Sequence, residues 1–110
     1  MPAHTVMDLD SLRSSAGAAC RLMKVLSNPS RLLLLCQLAQ GEIRVGELEE
    51  LVGIMQPTLS QQLGVLRDEC LVSTRRDGKA IYYQIDSPQA LSVLGVLYDQ
   101  FCSVSTKKKR

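Results

Sequence analysis

Two adjacent segments, residues 56–67 and 71–83, hold the side chains with the clearest chemical use. The first has leucines spaced three and four residues apart, which predicts a short helix, and its other side carries amides and hydroxyls instead of charges. The second surrounds Arg76-Asp-Gly-Lys79 with apolar residues, which predicts a β-hairpin with basic residues at its tip. Since amides bond base edges and cations hold phosphate, the two segments together indicate binding to double-stranded DNA.

Side chains of both segments are candidate DNA contacts. At about 100° per residue, Gln61 points most directly away from the leucine face of the predicted helix. The helix is therefore expected to read bases in the major groove, and the hairpin, or wing, to hold phosphate or the minor groove. The leucine face is formed by Leu59, Leu63 and Leu66. The candidate base-reading residues are Gln56, Thr58, Ser60, Gln61 and Gln62, and the candidate wing residues are Arg75, Arg76 and Lys79.

The spacing of apolar residues predicts a mainly α fold with one small β-hairpin, in the order helix, helix, helix, helix, strand, strand, helix. Asn28-Pro29 supplies an N-cap and a first-turn proline for the second helix. In the third helix, Leu48 and Leu51 are expected to face inward. A short helix, a turn at Gly53 and a second helix, followed by a hairpin, make a winged helix-turn-helix. The predicted helices cover residues 8–26, 30–40 and 45–52, then a stretch that Pro57 opens, then about 88–102.

Composition limits the class of protein. The chain has 110 residues, 45% of them hydrophobic but with no Trp, three Tyr and one Phe, so we expect one domain with an aliphatic core. No apolar run approaches the roughly 18 residues that span a membrane, and the first residues lack the pattern of a signal peptide. We therefore expect a cytoplasmic protein without a membrane partner, whose cysteines are thiols by default.

The net charge of +2 comes from the end of the chain. Four of the 13 basic residues are Lys107-Lys-Lys-Arg110, which leaves nine basic residues against eleven acidic ones. Affinity for DNA therefore needs a local basic patch. We expect residues 1–7 to form a disordered arm, residues 8–103 the DNA-binding and dimerisation domain, and residues 104–110 a disordered basic tail.

The first and last predicted helices are amphipathic and lie at the two ends of the chain, where both can pair with a second copy. A homodimer would present two polar helices to successive major grooves, about 34 Å apart, on an inverted repeat. The alternative is that both helices only cover the core of a monomer. One short helix and one small wing give little DNA contact, which favours the dimer.

Four cysteines, Cys20, Cys36, Cys70 and Cys102, are the remaining reactive groups. A buried cysteine is common simply as a small hydrophobe, and four thiols allow six possible pairs, between which the sequence alone does not choose. The only histidine, His4, lies in the expected arm, so no Cys–His pair is evident. The chain also lacks a glycine-rich phosphate loop, and we expect neither an enzyme nor a cofactor.

Several motifs resemble the ArsR/SmtB family of dimeric bacterial repressors, over roughly residues 15–102. They are Leu26-Ser-Asn-Pro-Ser-Arg-Leu32, Val45-Gly-Glu-Leu48, Leu59-Ser-Gln-Gln-Leu63, Leu66-Arg-Asp-Glu69 and Arg75-Arg-Asp-Gly-Lys-Ala-Ile-Tyr-Tyr83. Within the family, the chain looks most similar to the sulfide- and redox-responsive branch that includes the biofilm growth-associated repressor. That branch carries one cysteine in the second helix and one at the end of the last helix, and Cys36 and Cys102 match these positions.

The resemblance implies a repressor that releases its operator when Cys36 and Cys102 are linked by a disulfide or polysulfide. Reactive sulfur species or oxidants would be the effector, and sulfide-detoxification genes the targets. A direct disulfide requires Cα atoms within about 7 Å, whereas added sulfur atoms would span a wider gap.

The chain also departs from the family in ways that matter. Where metal-sensing relatives place cysteines in the third helix, it has Arg44 and Gly46, so the resemblance implies no metal site. Cys70 stands where relatives usually have glycine, and we expect it to adopt the left-handed conformation at a cost of about 1 kcal/mol. Two alternatives stay open: a metal(loid)-responsive repressor that uses Cys20, Cys70 or Cys102, and a DNA-binding regulator with silent cysteines.

Overall fold

The computed structural model describes residues 8–103, so the expected arm and tail lie outside the described residues. In chain order the elements are α1 (Leu9–Leu26), α2 (Pro29–Leu38), β1 (Ile43–Arg44), α3 (Val45–Val52), α4 (Thr58–Asp68), β2 (Val72–Asp77), β3 (Ala80–Ile85), α5 (Pro88–Tyr98) and a π-helical turn (Asp99–Ser103). The predicted winged helix-turn-helix is confirmed, with β2, β3 and their turn as the wing.

Side-chain caps set where three of the helices begin. Asp8, Asn28 and Ser87 each accept a hydrogen bond from the backbone N–H three residues further on, at the starts of α1, α2 and α5. Such a cap satisfies one of the orphan donors of a helix and contributes about 1 kcal/mol. The cap at Asn28, followed by Pro29, is the one that the sequence predicts.

An aliphatic core centred on α2 holds the other elements in place. α2 packs against α1, α3, α4 and β3. Its buried leucines meet leucines from α3 and α4, and replacing a buried leucine by alanine costs about 2–5 kcal/mol. The largest fully buried side chains are Leu34, Leu35, Leu48, Leu59 and Leu66.

The third helix corrects one expectation. Leu51 is 53% exposed, so the prediction that it faces inward is wrong. The inward face of α3 instead carries the fully buried Leu48 with the half-buried Val45 and Val52. These three recur at spacings of three and four, which places Leu51 on the flank of the helix.

The sheet has one strand more than the sequence predicts. β1 adds to the wing, so the antiparallel sheet has the order β1-β3-β2. Two residues, Ile43 and Arg44, are too few to show a strand period. They pair with Tyr83 and Tyr82, and the strand exists because β3 offers an open edge there.

The hairpin turn lies one residue later than Asp-Gly suggests. Asp77 pairs with Ala80, so the two central residues are Gly78 and Lys79. Gly78 has φ 65°, the positive φ that two-residue hairpin turns need and that glycine adopts without strain.

A Schellman motif ends α4 and includes an unusual residue. The Leu71 N–H donates to the Leu66 carbonyl at 3.0 Å, and the Cys70 N–H donates to the Arg67 carbonyl at 2.9 Å. Cys70 has φ 62°, as the resemblance to the family implies. A side chain with a Cβ is unfavourable in this conformation, so Cys70 destabilises the end of the helix.

Replacing Cys70 by glycine should therefore stabilise the protein by about 1 kcal/mol, since glycine adopts positive φ without the Cβ clash. Thermal unfolding at one fixed protein concentration would show the melting temperature rising by roughly 4–8 °C. Cys70→Ala is the matched control because it removes the thiol but keeps the Cβ. Equal melting temperatures for the two variants would contradict the assigned strain.

Candidate nucleic-acid interface and cysteine pair

The outer side of α4 is accessible because leucines anchor its inner side. Leu59, Leu63 and Leu66 are each at most 2% exposed. Thr58, Ser60 and Gln61 are exposed. The orientation that the sequence predicts for the polar face of this helix is therefore present in the structure.

Gln56 lies just before α4 and caps it. Its Oε1 accepts hydrogen bonds from the Ser60 N–H, at 3.1 Å, and from the Ser60 hydroxyl. Pro57, at the N-cap position, makes no side-chain cap. Gln56 thus satisfies an orphan donor of the first turn, and the cap ties two of the predicted base-reading residues together.

Arg31 has a role that the sequence does not predict. Its Nε donates to the Val25 carbonyl at 2.8 Å and its Nη2 to the Lys24 carbonyl at 3.4 Å, while its Nη1 donates to Gln62 Oε1 at 3.1 Å. One guanidinium therefore joins the end of α1 and the start of α2 to α4. Its position 3 residues after the Asn28 cap was the available signal.

Basic side chains of the wing divide between its two faces. Successive residues of a strand point to opposite faces, so Arg75 and Arg76 do not act as one patch. Arg76 and Lys79 are exposed at the turn end of the wing. These two cations are accessible to a phosphate backbone.

Arg75 is held against the outer face of the sheet. Its Nε and Nη2 bond the two carboxylate oxygens of Glu42 at 2.8 and 2.9 Å, and its guanidinium lies 4.5 Å from the ring centroid of Tyr82. The hydrogen bond from Arg75 lowers the pKa of the Glu42 carboxyl. Since these contacts use Nε and Nη2, a phosphate would have to bond Nη1 beside the ion pair or displace Glu42.

Cys36, on α2, and Cys102, on the π-helical turn, are electrostatically coupled. Burial first, and then the negative charge of Cys102, raises the pKa of the Cys36 thiol above its ordinary value. Cys36 is half-buried and Cys102 exposed, and both are thiols. The sequence-predicted pair is thus near enough for one charge to affect the other group.

An apolar groove of about 590 Å³ opens beside Cys36. α2 forms one wall and α5 the other. Cys20 and Cys70 are exposed and do not line it. The lining residues are Cys36, Ala39, Gln40, Leu91, Leu94, Gly95, Tyr98 and Asp99. Within residues 8–103 there is no group of three or more His, Cys, Asp or Glu side chains that could hold a metal ion.

The first and last helices carry large apolar side chains that are exposed within residues 8–103. On α1 these are Leu9, Leu12 and Met23, and on α5 and the π-helical turn they are Leu91, Val96, Tyr98 and Phe101, all between 46% and 76% exposed. Exposed apolar side chains that form a patch mark interaction sites. None of the helices described is long and apolar enough to cross a membrane.

This chain is similar to known proteins in both its sequence and its fold. Residues 28–74 match the family described as bacterial regulatory protein, arsR family. The biofilm growth-associated repressor of Xylella fastidiosa is 46% identical over 97 residues, which cover 88% of this chain and 85% of that protein. The crystal structure of the transcriptional repressor BigR from Xylella fastidiosa aligns with a TM-score of 0.83 at 47% identity, over 87% of this chain and 98% of that one. Reduced HlyU from Vibrio cholerae aligns with a TM-score of 0.80 at 32% identity, over 86% and 99% of the chains.

Proposed function

We propose that this chain, a member of the arsR family of bacterial regulatory proteins, works as a homodimer that leaves its operator when Cys36 and Cys102 become linked. It is a DNA-binding transcription regulator of the repressor type. The proximity of these two thiols, one on the core helix and one at the end of α5, is the observation that carries the proposal. Reactive sulfur species or oxidants are the proposed effectors, and sulfide-detoxification genes the proposed targets.

The DNA-binding part of the proposal assigns base reading to α4 and backbone contact to the wing. Gln61 is exposed at the centre of the outer face of α4, with Gln56, Thr58, Ser60 and Gln62 around it. Arg76 and Lys79 hold phosphate. Arg75 contacts DNA either with its Glu42 ion pair intact or after that ion pair opens. Phosphate contacts position the protein, and base contacts give the sequence preference.

The dimer part rests on the exposed apolar faces of α1 and α5. Burying them against a second copy removes apolar surface from water, at about 25 cal/mol per Å². A two-fold axis through this seam relates two copies of α4, which matches an inverted repeat with half-sites about 34 Å apart.

The switch is ordinary thiol exchange with a persulfide, R–S–SH. The exposed Cys102 thiolate takes the outer sulfur and releases R–SH, which leaves a persulfide on Cys102. The Cys36 thiolate then attacks the sulfur bonded to Cys102 and displaces hydrosulfide, so that a disulfide forms while the added sulfur is reduced. If Cys36 has also become a persulfide, the same attack gives a trisulfide, which spans a longer gap.

Such a link would act on DNA affinity through two packed elements. Cys36 belongs to α2, which packs against α4, and Cys102 ends the helix assigned to the dimer seam. A link between them would alter how the two reading helices are spaced. Coupling free energies between sites of about 1–3 kcal/mol change affinity roughly 5- to 150-fold.

The roles of α4 and the wing separate in two variants. Gln61→Ala should reduce the preference for the cognate operator over other DNA by about 1–3 kcal/mol, because a bidentate base contact is lost. Lys79→Ala should weaken binding to all sequences alike and lower the salt slope by about one. Fluorescence anisotropy titrations at several salt concentrations measure both quantities. Unchanged preference in Gln61→Ala would refute the assignment of α4 as reader.

Assembly is tested on α1. Leu12→Glu should dissociate the dimer at micromolar concentration, since it places a charge in the proposed seam without disturbing the core of the subunit. Leu51→Glu, at a similarly exposed leucine on α3, is the control and should leave the dimer intact. Sedimentation velocity distinguishes the species. A wild-type monomer at micromolar concentration, both alone and with DNA, would contradict the proposed dimer.

The switch makes opposite predictions for the two pairs of cysteines. Persulfide should link Cys36 to Cys102 and lower operator affinity at least fivefold, and a reductant should restore it. Cys36→Ser and Cys102→Ser should each bind DNA but no longer respond, whereas Cys20→Ser and Cys70→Ser should respond like wild type. Intact mass spectrometry and anisotropy report the link and the affinity. Release by Cys36→Ser but not by Cys70→Ser would show that the pair is misassigned. Release by stoichiometric zinc or arsenite would favour the metal(loid) alternative.

A further inference from the structure

We infer that the three glutamines around the reading face offer DNA different hydrogen-bonding groups: Gln61 presents both its amide oxygen and its amide NH₂, whereas Gln56 and Gln62, whose oxygens already accept hydrogen bonds from the protein, present their NH₂ donors. The inference deepens the proposed function, because it rests on α4 entering the major groove. It follows from the hydrogen bonds that each amide oxygen accepts, or does not accept, from other residues of the protein.

The oxygen of Gln62 is directed toward Arg31. A guanidinium can donate but never accept a hydrogen bond, so the Gln62 atom 3.1 Å from Arg31 Nη1 must be the amide oxygen. Arg31 is itself fixed by the carbonyls of Val25 and Lys24 at the end of α1. Since oxygen and nitrogen lie on opposite sides of the amide carbon, the NH₂ group of Gln62 is turned away from Arg31.

The oxygen of Gln56 is engaged in the same sense. The Ser60 backbone N–H, which can only donate, lies 3.1 Å from Gln56 Oε1. The Ser60 hydroxyl donates to the same oxygen, so the lone pairs of this hydroxyl are what remains for DNA. Gln56 keeps its NH₂ group for an outside partner, and Ser60 becomes an acceptor.

The amide oxygen of Gln61 accepts no such hydrogen bond from the described residues. Gln61 is exposed, and its side chain makes no hydrogen bond to any other part of the chain over the described range, residues 8–103. Its oxygen and NH₂ group are both available in one plane. Gln61 can therefore make the bidentate contact that requires an acceptor and a donor side by side.

Base edges differ in what they demand of these groups. Adenine shows an acceptor, N7, beside a donor, N6–H₂, so a bidentate contact needs both halves of an amide, and an NH₂ group alone would reach N7 and leave N6–H₂ unpaired. Guanine shows two acceptors, N7 and O6, and thymine shows the O4 acceptor, so a donor alone suffices. Gln61 should thus select an A·T pair in each half-site, whereas Gln56 and Gln62 should select guanine or thymine edges.

Operator selection from an inverted repeat with randomised half-sites tests this assignment. DNA sites are selected in parallel with wild type, Gln61→Ala and Gln62→Ala. The affinities of each protein for its selected sites, and for these sites with single bases changed, are then measured. Gln61→Ala should lose preference at an adenine by about 5- to 150-fold. Gln62→Ala should lose preference at a guanine or thymine by about 2- to 10-fold and keep the adenine.

Gln62→Glu separates base contact from support of Arg31. The introduced carboxylate still accepts from Arg31, so the link between α1 and α4 is kept, but it cannot donate to a base. The guanine or thymine preference should disappear as fully as in Gln62→Ala. Gln61→Glu is the matched control, because it adds the same charge one residue away and should instead disturb the adenine position.

The outcomes distinguish the inference from the function on which it rests. If wild type selects a sequence but Gln62→Ala relaxes the adenine position, the donor assignment is overturned while the reading helix stands. Retention of the guanine or thymine preference in Gln62→Glu would also overturn it. If wild type selects no sequence at all, the proposed reading function fails, and the inference fails with it.

Discussion

Burial of leucine side chains around α2 is the constraint on which the rest of the structure depends. The helix packs against four other elements, and its Leu34 and Leu35 are fully buried. Interiors of this kind are packed as densely as organic crystals, so neighbouring helices cannot rotate independently. Leu59 and Leu66 belong to the same core, and their burial turns Gln61 outward. The accessible face of α4 is thus a consequence of core packing.

The same helix carries Cys36 at its edge. Burial that is complete at Leu35 becomes partial one residue later, where the groove beside α5 begins. A thiol in that position is shielded, and its pKa is raised, while Cys102, on the π-helical turn that follows α5, is exposed. In the proposed switch, a reaction at the surface therefore acts on α2, and a shift of α2 would move the core residues packed against it. Packed interfaces tend to change between discrete arrangements, which suits a repressor that must either hold or leave its operator.

Hydrogen bonds around α4 determine which groups remain for a partner. Arg31 holds the oxygen of Gln62 and Ser60 holds that of Gln56, so a set of similar amides becomes chemically distinct. On the wing, Glu42 holds Arg75 in the same manner. A polar side chain that already has a protein partner offers a different edge from one that has none. The proposed division of labour between base reading and phosphate contact rests on these internal partners.

The resemblance to the family implied the left-handed residue at Cys70, and local patterns in the sequence determined the helices, the orientation of α4 and the wing. Each depends on neighbours within a few positions, through side-chain period, capping or turn geometry. Other features required the folded chain: β1, the exposure of Leu51, and ion pairs and hydrogen bonds between residues more than thirty positions apart, as for Arg75 with Glu42 and Arg31 with Gln62. Periodicity states which face of an element is buried, but only tertiary packing decides which polar groups meet, because that depends on how elements distant in sequence are placed together.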